Sequence, residues 1–105
     1  MNILWTNRAR MDQLEIYETI AEDNVSAAER VYQQIEERVT LLEKNPRLGV
    51  RRTEIRDGLR MLVRGVYLIY YETRPDTDLG DIEEVEILRV LHGHRDMSED
   101  MFSES

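Results

Sequence analysis

The sequence predicts an α+β domain, a helical hairpin laid on one face of a mostly antiparallel sheet. Three observations predict it. Two apolar runs, residues 59–63 and 66–71, are joined by Arg64-Gly65, and a third run, residues 85–91, follows an acidic loop. All three are short and rich in Val, Ile, Leu and Tyr, which suits strands better than helices. Upstream, two stretches of helical periodicity lie on either side of Asp23-Asn24.

The elements follow in chain order. Residues 2–6 form a short apolar run that reads as a first strand, with Ile3 and Trp5 on one face and Leu4 on the other. The single Trp is expected to pack in the core. Thr6 or Asn7 can cap a first helix. In that helix Met11, Leu14, Tyr17 and Ala21 mark the inner stripe, and Asp12, Glu15, Glu18 and Glu22 the outer face. Ser26-Ala27-Ala28-Glu29 has the form of a capping box and starts a second helix. Ala28, Val31, Ile35, Val39 and Leu42 form its apolar stripe, and Asn45-Pro46 stops it. About three residues join the helices, so they should run antiparallel.

Residues 50–58 are polar and arginine-rich and read as a loop, with Asp57-Gly58 as a turn signal. Gly65 sits where a hairpin turn needs positive φ. The three runs then make a three-stranded sheet, with residues 72–84 as a long acidic loop. The sheet face away from the helices, carrying Arg, Tyr and His, is expected to stand half open. One domain is expected over residues 1–97, with residues 98–105 as a flexible tail.

Composition narrows the function. There are no cysteines, so disulfides and thiolate metal sites are excluded. Residues 1–6 are too short and lack the basic start of a signal peptide. No apolar run approaches the ~20 residues of a membrane span, and a cytoplasmic protein is expected. The net charge of −8 argues against a surface given over to nucleic acid. The charge is uneven, because residues 45–66 hold six arginines against Glu54 and Asp57. Those arginines either meet an acidic partner or pair with the chain's own acids. His92 and His94, at alternate positions, fall short of a metal site without further ligands. Gly58 and Gly65 are turn glycines with no phosphate-loop pattern around them, so no cofactor is expected.

An ordered set of motifs runs through the chain. Ala9 and Leu14 fall in the first helix, and Ala28 and Ile35 in the second. Asn45-Pro46-x-x-Gly49 and Ile55-Arg56-x-Gly58-x-Arg60 follow. Val66-Tyr67-x-x-x-Tyr71 comes next, and the set ends with Leu88-Arg89-Val90-Leu91-His92-Gly93-x-Arg95-Asp96. This set resembles the RelE/ParE superfamily of type II toxin–antitoxin toxins, and the ParE branch in particular. The resemblance implies a bacterial toxin that blocks DNA gyrase, arrests growth and is neutralised by a cognate ParD-like antitoxin in a hetero-oligomer. RelE-like relatives instead cut messenger RNA in the ribosome. In them an arginine follows the strand tyrosine, where this chain has Leu68, and a tyrosine lies near the C-terminus, at about Met101, where the neighbouring Phe102 has no hydroxyl. The expectation is therefore a non-enzymatic toxin with no sequence-specific contact to nucleic acid. A non-toxic antitoxin-binding module is the third reading. Target-binding candidates are Arg56, Arg60, Arg64, Arg89, His92, His94 and Arg95. Antitoxin-binding candidates are Tyr32, Leu41, Tyr67 and Tyr70.

Overall fold

A computed structural model describes residues 1–93. The expectations for His94, Arg95, Met101, Phe102 and the tail at 98–105 lie outside the described residues. The chain runs through β1 (Asn2–Trp5), α1 (Asn7–Ala21), α2 (Val25–Thr40), a single 3₁₀ turn (Leu41–Glu43), β2 (Val50–Arg51), β3 (Arg60–Arg64), β4 (Tyr67–Arg74) and β5 (Glu84–His92). The strands form one sheet in the order β1-β5-β4-β3-β2. The α+β architecture is as expected, but the sheet has five strands where three were read as its core. β2 is only two residues long, too short to show a period, and pairs antiparallel with β3. β1 joins the far edge, parallel to β5. β4 and β5 each run longer than their apolar cores, because Glu72, Arg74, Glu84 and Glu86 continue the ladder as polar pairs. Arg74 there bonds Glu84 at 2.6 Å and Glu86 at 3.1 Å.

Helix α1 is capped by Thr6, whose hydroxyl accepts from the Ala9 amide at 3.0 Å. Helix α2 starts earlier than the capping box suggested. Asn24 is its cap, its side-chain oxygen accepting from the Ala27 amide at 3.0 Å. Asn caps as well as Ser does, and the connection from α1 is short enough that helical geometry resumes before Ser26. The α2 stripe is as read: Ala28, Ile35, Val39 and Leu42 are buried, and Val31 packs partly against them. They meet Leu62, Ile69, Tyr71, Val85, Ile87 and Val90 from the sheet to form the main core, with Trp5 packed at its margin.

Helix α1 corrects the reading. Met11 and Leu14 face outward, each about half exposed, while Asp12 and Gln13 are buried. Both polar side chains find partners inside. The Gln13 amide lies 3.4 Å from the Tyr32 carbonyl, and Asp12 is satisfied by β5. Buried polar groups that are fully bonded are tolerated, so local periodicity pointed to the wrong face.

The second sheet face is also covered, not half open. Leu59, Tyr70, Leu88 and Leu91 form a smaller buried cluster there, joined by Ile55 from the β2–β3 connection and by Met61 and Leu68. A bulge in β5 where it passes Tyr70 and Tyr71 shifts the alternation, so that Val90 joins Val85 and Ile87 in the main core while Leu91 joins Leu88 in the smaller cluster.

Candidate functional site

Of the strand arginines, Arg89 is the most deeply held. Its Nε and Nη2 donate to the two oxygens of Asp12 at 2.7 and 3.0 Å. Asp12 Oδ2 also accepts from the Val90 amide at 3.0 Å. The partner, Asp12, comes from α1. β1 stops pairing at Ile87, so the β5 edge beyond it would be bare. Thr6 and Asp12 take over there, with the Thr6 hydroxyl donating to the Leu88 carbonyl at 3.1 Å. The Asp12–Arg89 pair thus ties α1 to the sheet at the point where the ladder ends.

Arg60, on β3, is also buried but differently placed. Its Nη1 donates to the Gly49 carbonyl at 3.1 Å, and its Nη2 reaches Asp78 only at 3.5 Å. Gly49 is held by Tyr71, whose hydroxyl accepts from the Gly49 amide at 2.8 Å and donates to the Pro46 carbonyl at 2.9 Å. Burial pushes the Tyr71 phenol above its ordinary value, so it remains a donor at neutral pH. A Cβ on Gly49 would lie 2.7 Å from the Tyr71 ring and 2.8 Å from the Met61 carbonyl. That close approach explains the glycine that follows Asn45-Pro46.

Beside Arg60 stands a cluster that the sequence reading did not single out. Arg51 donates to Asp78 at 2.8 and 3.1 Å and lies 3.0 Å from Asp76. Arg47 donates to the Thr77 carbonyl at 3.0 Å, the Thr77 hydroxyl at 3.3 Å and the Gly80 carbonyl at 2.7 Å. The Arg51 guanidinium holds the Asp78 carboxyl below its usual range. The sequence signal was the contrast between the arginines of residues 45–66 and the acids of residues 72–84. It could not say which residues meet.

The other candidates lie apart. Arg56 pairs with Glu72 at 3.4 Å. Arg64 lines a groove of about 520 Å³ with Gln34, Glu37, Arg38, Leu41 and Val63. The Arg38 Nε donates to the Val63 carbonyl at 3.1 Å across that groove. His92 meets Tyr67 edge to face at 5.7 Å. Those two line a more apolar groove of about 470 Å³ with Asp12, Ile16, Ile20 and Val90. Leu41 and Tyr32 are exposed, and Tyr32 packs its ring edge-on against Tyr17 at 6.2 Å. Tyr67 is half buried, and Tyr70 is fully buried in the smaller cluster, so its ring offers no surface to a partner. The described target candidates therefore form no single patch. Among the described residues no three His, Asp or Glu side chains gather where they could hold a metal, and no helix is long and apolar enough to cross a membrane.

Comparison with known proteins adds three findings. The chain matches a solved structure titled "Chromosomal ParDE TA system from P. aeruginosa" with a TM-score of 0.67 and 24% identity, covering 88% of this chain and 95% of that one. At that identity the match shows a shared fold. Comparison with curated protein sequences finds no match. The family described as "ParE toxin of type II toxin-antitoxin system, parDE" matches residues 3–97, nearly the whole chain. The chain belongs to this family of ParE toxins.

Proposed function

We propose that this chain is a cytoplasmic, non-enzymatic toxin that arrests growth by inhibiting DNA gyrase and is neutralised by a ParD-like antitoxin. The observation that carries the reading is how the strand arginines are used. A ribonuclease must gather cations and a proton-transfer group around one phosphate. Here Arg89 is closed into a bidentate pair with Asp12, and Arg60 bonds the Gly49 carbonyl. Leu68 stands where RelE-like toxins carry an arginine. With Arg89 closed off and no arginine at position 68, the chain suits a protein that acts through its surface.

Two surfaces support a partner-binding role. The groove between α2 and the β3–β4 hairpin sets the exposed side chains of Leu41 and Val63 beside Arg38 and Arg64. Apolar anchors rimmed by charge are what an antitoxin segment needs. The outward Met11 and Leu14 of α1 extend the apolar area available on the helical hairpin. Leu41→Glu should weaken antitoxin binding by at least about tenfold, a loss typical of an anchor residue, without lowering the melting temperature. An unchanged affinity would move the antitoxin elsewhere.

The target is tested with purified protein, gyrase, supercoiled plasmid and ATP. Linear DNA after protein digestion is the expected result, and prior mixing with the antitoxin should prevent it. Growth arrest with gyrase untouched would overturn the gyrase reading and direct the search to the ribosome.

A further inference from the structure

We propose that loop 75–81 is an internal ligand seated in a binding site for acidic peptide segments, a site built from Arg47, Arg51 and Arg60. The inference stands apart from the gyrase reading and rests on three features of the cluster.

First, the site is under-compensated. The Arg60 side chain is 6% exposed, and among the described residues its closest carboxylate oxygen is 3.5 Å away and its buried Nε has no hydrogen-bond partner. A buried guanidinium with so loose a counter-charge favours a better-placed anion.

Second, the loop is held by polar contacts from Arg47 and Arg51 and by no buried side chain of its own. The Asp76 and Asp78 side chains are 46% and 77% exposed, and Leu79 is 87% exposed. Between Thr73 and Ile82 no residue of the loop is buried. Exposed ion pairs each contribute little and weaken with salt. The loop can therefore lift between its two buried anchors without disturbing the core.

Third, the bonds specify the ligand. Arg51 takes two carboxylates two positions apart, while Arg47 takes main-chain carbonyls of the same segment, Thr77 and Gly80. An acidic peptide repeats that alternation of carboxylate and carbonyl. A phosphodiester chain does not, and the net charge of −8 opposes the approach of a long polyanion.

The test uses the full chain and a fluorescein-labelled peptide copying residues 75–81, followed by anisotropy at low salt. In wild type the loop competes, and the apparent affinity falls by the fraction of molecules that are open. The variant D76N/D78N should bind the peptide about tenfold or more tightly than wild type. That corresponds to a loop closed about nine-tenths of the time. Adding R47Q/R51Q, both at partly exposed positions, should abolish the gain, and a peptide with both aspartates changed to asparagine should not bind. Peptide binding to D76N/D78N should also shift the Arg60 Nε–H resonance, which reports the site even if affinities are modest. Equal binding by wild type and D76N/D78N, or by the two peptides, would overturn the proposal. So would tighter binding of a 12-nucleotide single strand than of the peptide, because the ligand class would then be wrong.

Discussion

Arg89 and Arg60 are both buried on central strands and both face a carboxylate, yet they are different objects. Asp12, the partner of Arg89, is itself buried, and its oxygens are shared between the guanidinium and the Val90 amide. Asp78, the partner of Arg60, is mostly exposed and sits on a loop with no buried side chain of its own. A pair closed on both sides fixes one element against another. A pair closed on one side leaves a buried cation whose counter-charge can be exchanged. The first is architecture, and the second is where a partner can act.

The largest expected effect comes from opening the closed pair. Asp12→Ala leaves Arg89 buried without its carboxylate and the Val90 amide without its acceptor, and should cost about 3–5 kcal/mol. Against a folding free energy of about 5–15 kcal/mol that is a large share, so the midpoint of a urea titration should fall markedly. The double variant D12L/R89M removes both charges and should recover much of the loss, though not all, because the Val90 amide stays unsatisfied. A mild Asp12→Ala would break the comparison, because the closed pair would then be no more structural than the open one.

Smaller effects should come from the turn that supports Arg60. Tyr71→Phe removes the acceptor of the Gly49 amide and the donor to the Pro46 carbonyl. It should cost about 1–3 kcal/mol. Gly49→Ala pushes a methyl against the Tyr71 ring and the Met61 carbonyl, with a cost of similar size, about 1–3 kcal/mol. Both should displace the Gly49 carbonyl from Arg60, so the Arg60 Nε–H resonance should move along with the melting temperature. If stability falls while that resonance stays put, the turn supports the fold but not the arginine.

How much was legible in the sequence follows the same division. Helix α2 reads correctly because its buried positions, Ala28, Ile35 and Val39, are apolar and recur at helical spacing. Helix α1 reads wrongly because its buried Asp12 is answered by Arg89, 77 residues away. Periodicity is a local signal and cannot register a partner that only folding brings near. The β2 strand was invisible for lack of length, and the bulge in β5 hid that Val90, not Leu91, shares the helix-facing side with Ile87. At the site, the basic stretch and the acidic loop were both visible. Their contact was not, because it depends on β2, the strand that carries Arg51 beside residues 76–78. The cover over the second sheet face was missed for a related reason. Ile55 lies in a stretch whose composition is polar, and one apolar residue among arginines gives no pattern.

The smallest expected effect is a pH response confined to the open pair. The hydrogen bond from Arg51, with the field of that guanidinium behind it, holds the Asp78 carboxyl below its ordinary value of about 3.9. A lowered carboxyl contributes its attachment fully above the ordinary value, and the contribution is lost as pH falls through the folded value. Loop 75–81 should therefore be unchanged from neutral pH down to about 4 and release below it, as Asp78 takes up a proton while Arg51 keeps its charge. Carbon-detected NMR of the Asp78 carboxyl, with the amides of residues 76–80 followed beside it, would place the transition. Those amides should move together with the carboxyl, and in D78N the transition should disappear. Titration of Asp78 at its ordinary value would mean that Arg51 does not hold it in solution, and Arg60 would then have no carboxylate poised for exchange.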